Sequence, residues 1–255
     1  VSGEIVVSEK FHKKVCYDVA NNLITAQFDG RGGISKYAVM NKYSVFTAFY
    51  PLFSINHKPI EYMSDKVVKM LGKKQVTTFS EMNADFEITQ FLDTTHNCIY
   101  VENKITAKED LYFDNVTNFG IDFASYVQQL LANRLSAGNI AKIIGGLLKR
   151  NKKSVESSEK FSYMKGDVMG DFYLDVAANC PLTGLESERG FYNQFTYGGE
   201  IKKGESKSFR YVMSAGTRSD FTFCDVKAAL KNFDNALKDC DKYASELKCP
   251  EKLED

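Results

Sequence analysis

The feature that most constrains this chain is a succession of short runs rich in β-branched and aromatic residues from residue 3 to about residue 119, with no helical period among them. EIVVS, KVCYDV, NLITAQF, GISKYAVM, SVFTAFYPLFSI, VTTFS, ADFEITQFL, CIYVENKIT and LYFDNVTNF follow one another, separated by Asn, Asp, Gly, Lys and Pro clusters. Strands in succession without crossover helices must pair antiparallel with their neighbours. The expected fold is mainly β, a large antiparallel β-sandwich. The chain has 255 residues, 44% apolar, with 19 Phe and 14 Tyr, which is enough material for one large core.

The stretch FDGRGGISKYAVMN looks like a phosphate-binding loop but lacks the Lys-Ser/Thr pair and the helical period that such a loop requires. Ile24, Ala26 and Phe28 alternate with Leu23, Thr25 and Gln27 before it, and Ile34, Tyr37 and Val39 follow it. It therefore reads as a hairpin turning on Gly30, Gly32 and Gly33. From about residue 121 the period shifts toward 3.6, through Val127, Leu130, Leu131, Leu135, Ile140, Ile143, Ile144, Leu147 and Leu148. This predicts a helical insertion at about 121–150, followed by an exposed connector, before strands resume at KFSYM, DFYLDVAAN, GFYNQFTYG and SKSFRYVMSAG. Neither block of strands closes a sheet alone, so 1–222 is expected to form one β-sandwich domain. Over 223–255, Val226, Leu230, Phe233, Leu237, Cys240, Ala244 and Leu247 recur at spacings of 4 and 3, which predicts one long amphipathic helix from about Asp225 to Lys248.

Charge and motif exclude several classes of function. Thirty-three basic side chains balance 33 acidic ones, so no net field gathers nucleic acid or anionic lipid. The KRNKK run is a solvated helix end. Ile140 to Leu148 is far short of the roughly 20 residues of a membrane span, and the expected location is the cytoplasm. The six cysteines stand apart, with no paired metal or redox spacing, and read as buried thiols. His12, His57 and His96 have no ligand at metal spacing, and no nucleophile elbow or zincin motif is present. Asp167, Asp171 and Asp175 repeat every four residues, but Gly166, Gly170 and Phe172-Tyr173 favour a turn into a strand over a calcium site. Glu186 and Glu188 read as a solvated loop, because glycoside hydrolysis needs carboxyls on opposite sides of one bond. No catalytic residue, metal or cofactor is therefore assigned. The chain has no Trp, the largest aromatic surface for a sugar face, which weakens a lectin reading.

The hairpin NNLITAQFDGRGGISKYAVMN, the strands DFYLDVAAN and RGFYNQFTYGGEIKKGESKSFRYVMSAG, and the segment DVKAALKNFDNALKDCDKYASEL together resemble a known arrangement. It is similar to the N-terminal supersandwich and helical linker of inverting glycoside phosphorylases of the cellobiose/chitobiose phosphorylase type, and of glucoamylase-like and debranching-type enzymes. The resemblance implies a noncatalytic β domain of a carbohydrate-active enzyme. Its partner would be an (α/α)6 barrel, in the same polypeptide or complex, that carries the catalytic residues, and an oligosaccharide could lie at the rim. Asp29 and Arg31 are nominated for that rim, since a charged turn tip beside glycines can approach a sugar hydroxyl. The alternatives are an aldose-epimerase-like supersandwich enzyme, which would use a His with a carboxylate as acid and base, and a noncatalytic carbohydrate-binding or interaction module.

Overall fold

In a computed structural model, residues 6–11, 15–21, 23–29, 34–39, 43–60, 67–71, 73–93, 96–121, 152–168, 172–187, 190–218, 223–242 and 246–247 are described. The strands, in chain order, are β1 (Val6–Phe11), β2 (Val15–Ala20), β3 (Ile24–Asp29), β4 (Ile34–Val39), β5 (Tyr43–Ile55), β6 (Lys58–Pro59), β7 (Val67–Leu71), β8 (Lys74–Glu81) and β9 (Ala84–Leu92). There follow β10 (Ile99–Ala107), β11 (Leu111–Ile121), β12 (Lys152–Ser157), β13 (Ser162–Val168), β14 (Phe172–Ala178), β15 (Leu182–Ser187), β16 (Gly190–Ile201) and β17 (Ser206–Thr217). Among the described residues, two helices, α1 (Val226–Lys231) and α2 (Phe233–Asp241), and the short strand β18 (Glu246–Leu247) follow.

The first sheet runs β1-β2-β3-β4-β5-β11-β16-β15, with β6 paired to β5; the second runs β12-β13-β14-β17-β10-β9-β8-β7-β18. Every pairing among the described residues is antiparallel. The two sequence blocks interleave: β16 pairs with β11 in the first sheet, and β17 with β10 in the second. The antiparallel sandwich expected from the sequence is the observed fold.

The inward faces follow the period of two. In β3, Ile24, Ala26 and Phe28 are buried while Thr25 and Gln27 are half-buried. In β9 and β10, Phe86, Ile88, Leu92, Ile99, Val101 and Ile105 meet this face in one core cluster. An aromatic pillar crosses the sandwich: Phe53 of β5 stacks on Phe86 of β9 at 5.4 Å, and Phe86 on Phe79 of β8 at 4.6 Å. Burying each such ring contributes about 1.5–3 kcal/mol.

The outer face of the second sheet is also apolar at its centre, and this is where the C-terminal segment lies. Phe91, Tyr100, Ala177 and Val212 pack against Val226, Phe233 and Cys240. Phe233 stands edge-on to Phe91 and Tyr100 at 5.6 and 5.4 Å. Arg210 ties α2 down, donating through Nε to Glu102 at 2.8 Å and through Nη1 to Asp234 at 2.7 Å, with its guanidinium 4.7 Å from the Phe233 ring.

Three expectations need correction here, the first being the exposed connector after the insertion, much of which is strand β12 (Lys152–Ser157) paired with β13. The single long helix from about Asp225 to Lys248 is two helices divided at Asn232, whose main-chain N–H reaches the Ala228 and Ala229 carbonyls at 3.1 Å and tightens the turn out of helical register. Helix α2 stops at Asp241, and Glu246–Leu247 pairs as a strand with β7, so the segment folds back on the sandwich. Glu186, expected in a solvated loop, belongs to β15 and stands opposite Phe191. The helical insertion expected at about 121–150 lies outside the described residues apart from Ile121, which ends β11.

Candidate functional site

The strands β9 and β10 are joined by the loop that follows Leu92 and carries Asp93, His96, Asn97 and Cys98. Two asparagines fix this loop. Asn97 is buried; its Oδ1 accepts from the Tyr37 hydroxyl and its Nδ2 donates to the Ala215 carbonyl, while the Ala215 N–H donates to the same hydroxyl at 3.3 Å. Tyr37 belongs to the first sheet and Ala215 to the second, so the loop is anchored to both. Burial holds the Tyr37 hydroxyl protonated. Asn21, between β2 and β3, donates through Nδ2 to the main-chain carbonyls of Asp93 and His96 at 2.8 and 2.9 Å. Its Oδ1 accepts from the N–H groups of Leu23 and Ile24, each at 2.7 Å.

On this fixed loop His96 Nδ1 stands 3.0 Å from Asp93 Oδ1. The Asp93 carboxylate is mostly buried, whereas the imidazole is 62% exposed. Nδ1 is thus the ring nitrogen that faces the carboxylate. The Tyr100 hydroxyl lies 3.5 Å from Asp93 Oδ2, and burial, reinforced by Cys98, keeps it protonated far above its usual range.

These three groups form one wall of a cavity of about 300 Å³ beneath the start of α1. Phe223, Cys224, Asp225, Asn232 and the small residues Ala228 and Ala229 complete the lining. Asp225 is the N-cap of α1: its Oδ1 accepts from the N–H groups of Lys227 and Ala228 at 3.0 and 3.2 Å. The Cys98 thiol lies under Cys224 and is pushed well up by burial and by that neighbour.

Beside the cavity lies an ion pair between a buried carboxylate and a partly exposed guanidinium. Arg218 grips Asp175 with two parallel hydrogen bonds, at 3.0 and 2.9 Å, and Asp175 also accepts from the Gly166 N–H at 3.3 Å and the Tyr163 hydroxyl at 3.4 Å. The guanidinium lies 4.9 Å from the Tyr173 ring and 5.8 Å from that of Phe223.

A larger, shallow groove of about 540 Å³ crosses the outer face of β8, β9 and β10, lined by Thr78, Ser80, Asp85, Glu87, Lys104 and Thr106. Its Asp85 is paired with Lys108 and held below the usual carboxylate range by Lys108 and Ser80, and among the described residues lining the groove there is no imidazole beside a carboxylate. The smaller cavity, with its imidazole–carboxylate pair, is the candidate site.

The residues nominated from sequence lie elsewhere. Asp29 ends β3, five residues beyond Ile24 and so about 16 Å along the strand from the Asn21 end that touches the His96 loop. Arg31 lies outside the described residues, as do His12 and Asp171. His57 sits in an exposed turn with Nδ1 3.1 Å from Asp114, away from the cavity. Asp167 and Asp175 stand on β13 and β14, with Asp175 committed to Arg218; among the described residues, no group of three His, Cys, Asp or Glu side chains is placed to hold a metal ion. No described helix is long and apolar enough to cross a membrane. Asp93 and His96 were readable in sequence as Asp-Thr-Thr-His, a carboxylate and an imidazole three residues apart between two strands. What sequence reading missed was their pairing, and the cavity wall that arrives with Phe223 and Cys224.

No protein-family model matches the sequence, and neither does any curated protein. Solved structures do match in fold. A candidate aldose 1-epimerase of Escherichia coli K12 aligns at 6% identity with a TM-score of 0.52, over 84% of this chain and 100% of that one. A galactose mutarotase related enzyme of Lactobacillus acidophilus aligns at 8% identity with a TM-score of 0.54, over 81% and 99%. A bacterial glucoamylase aligns at 14% identity with a TM-score of 0.50, over 86% of this chain but 35% of that one. The shared property is the large antiparallel sandwich.

Proposed function

We propose that this chain is a carbohydrate-handling β-sandwich whose cavity opens and closes the hemiacetal ring of an aldose, with Asp93 and His96 moving the proton. The observation that carries this reading is the 3.0 Å contact between His96 Nδ1 and Asp93 Oδ1 on the wall of a cavity that suits one sugar ring. Interconverting the anomers of an aldose requires a base at the anomeric hydroxyl and an acid at the ring oxygen. His96 Nε2 takes the hydroxyl proton; Asp93 stabilises the imidazolium that results and fixes the ring's orientation. The proton returns to the sugar as the ring oxygen is protonated. Tyr100, kept protonated by burial, supplies a donor to Asp93 throughout. The substrate class is suggested by the likeness in fold to proteins described as an aldose 1-epimerase and a mutarotase-related enzyme, almost the whole of whose chains is covered.

The test is the approach to anomeric equilibrium of freshly dissolved α-D-glucose and α-D-galactose, followed by polarimetry or proton NMR. The purified chain accelerates it, and His96→Ala and Asp93→Asn, still folded by circular dichroism, each lose about 10²-fold or more of that acceleration. Equilibration no faster than in buffer would overturn the assignment.

A second reading takes the chain as the accessory domain of a glycosidase or phosphorylase, with an (α/α)6 barrel as partner and Asp29 and Arg31 at the rim. It is favoured by the match to about a third of a glucoamylase. Under it the isolated chain is inactive, and His96→Ala changes nothing in the assembled enzyme.

A further inference from the structure

We infer that Phe223 is the platform on which the sugar ring stacks, and so the residue that selects pyranoses presenting a C–H face to the cavity wall. The inference rests on the proton-transfer reading above and adds a ligand contact to it. Phe223 is an exposed large hydrophobic residue, 45% accessible, and it lines the same cavity as His96 and Asp93. Isolated surface apolar residues are ordinary; this one is held in place. Its ring packs against that of Tyr173 at 5.3 Å, and the Arg218 guanidinium lies near both rings. Tyr173 is itself pinned: its hydroxyl pairs with Ser214 Oγ at 2.8 Å and accepts from the main-chain N–H of Cys224, the residue following Phe223, at 3.2 Å. Arg218 is fixed in turn by the buried Asp175.

The platform is thus built before any ligand arrives, which removes the ordering cost of binding. The cavity lining combines this rigid aromatic ring and two alanines with the His–carboxylate pair, Asp225 and Asn232, so it offers both apolar and polar surface. A pyranose has the same two kinds of surface: axial C–H groups on a ring face and hydroxyls around the rim. At about 300 Å³ the cavity stands at the lower limit of ligand pockets, room for one ring and not a chain of them. The aromatic wall therefore reads the ring face while His96 reaches the anomeric hydroxyl.

Saturation-transfer NMR with D-glucose and D-galactose, together with anomerisation kinetics, tests this. Irradiating the aromatic protons transfers most strongly to sugar H3 and H5, which share one face. Phe223→Ala raises KM for both sugars about tenfold with kcat within about twofold, and Phe223→Tyr restores KM, whereas His96→Ala lowers kcat. An unchanged KM in Phe223→Ala, alongside an active wild-type chain, would overturn the platform and leave the proton-transfer assignment standing. A wild-type chain that neither binds nor interconverts either sugar overturns both. A loss of kcat equal to the loss of kcat/KM in Phe223→Ala would make the ring a support for the loop, and would also overturn the assignment.

Discussion

The side-chain amide of Asn21 donates to the main-chain carbonyl of Asp93 at 2.8 Å, bridging a turn of the first sheet to the loop of the second that carries the acid–base pair. The same amide reaches the His96 carbonyl, so one residue sets the separation of both. Asn21→Asp keeps the acceptor used by Leu23 and Ile24 but turns a donor into a negative oxygen facing two carbonyls. The expected cost is about 1–3 kcal/mol in urea unfolding. On the proton-transfer reading, kcat falls with KM within about twofold, because the imidazole is displaced and not removed.

Asp175 is almost wholly buried, and every one of its described partners donates to it. Asp175→Asn preserves the shape and removes the charge that faces the Arg218 guanidinium. Breaking a buried pair from one side costs about 3–5 kcal/mol, and the partly exposed guanidinium puts the expected cost here below that, at about 2–3 kcal/mol. The double variant Asp175→Asn/Arg218→Met is expected to regain more than half of this, which equilibrium denaturation of the single and double variants measures.

Asn103 lies on the inner face of β10, 1% exposed, and neither atom of its side-chain amide has a hydrogen-bond partner. Asn103→Leu keeps the number of side-chain heavy atoms and the branch at Cγ and removes two unsatisfied polar atoms from the interior. The expected gain is about 1–2 kcal/mol, seen as a higher urea midpoint at unchanged slope.

Burial pushes the Cys180 thiol up to about 12, from an ordinary value of 9. A raised pKa in the folded state means that the unfolded chain releases its proton first. The stabilisation is complete below pH 9 and is lost as pH rises from 9 toward 12. The loss is about 1.4 kcal/mol per pH unit for this group. Tyr173, raised to about 12 by burial, adds to the fall above pH 10. In Cys180→Ala, unfolding free energies at pH 8, 9.5 and 10.5 are expected to fall less steeply than in the wild type.

Alternation made the sandwich legible. Ile24, Ala26 and Phe28 face in because every second side chain of a strand does, and no tertiary knowledge was needed to see it. The break at Asn232 was hidden for a similar reason: Leu230, Phe233 and Leu237 keep the 3 and 4 spacing through a tightened turn, so the apolar stripe passes a kink without a mark. The end of α2 was hidden because pairing with a strand edge outweighs helical period in so short a segment as Glu246–Leu247. Met82 and Asn83 take positive φ, 48° and 59°, at a hairpin turn where methionine gives no local signal for that conformation. Asp175 looked like part of a metal pattern because its real partner, Arg218, arrives 43 residues later. The candidate site was half legible: Asp93 and His96 are neighbours in sequence, while Phe223 reaches them only through the fold.

The pairing of β18 with β7 bears on how safely the molecule assembles. Strand β7 would otherwise offer a row of open main-chain donors and acceptors next to Val67, which is already half exposed. Such a row is a template for another chain. The cover over Met70 and Leu71 comes from a segment separated from them by most of the polypeptide, so during synthesis this end of the edge is paired only after the rest of the sheet's described strands have been made, and slow or failed docking of Glu246–Leu247 would favour aggregation over unfolding.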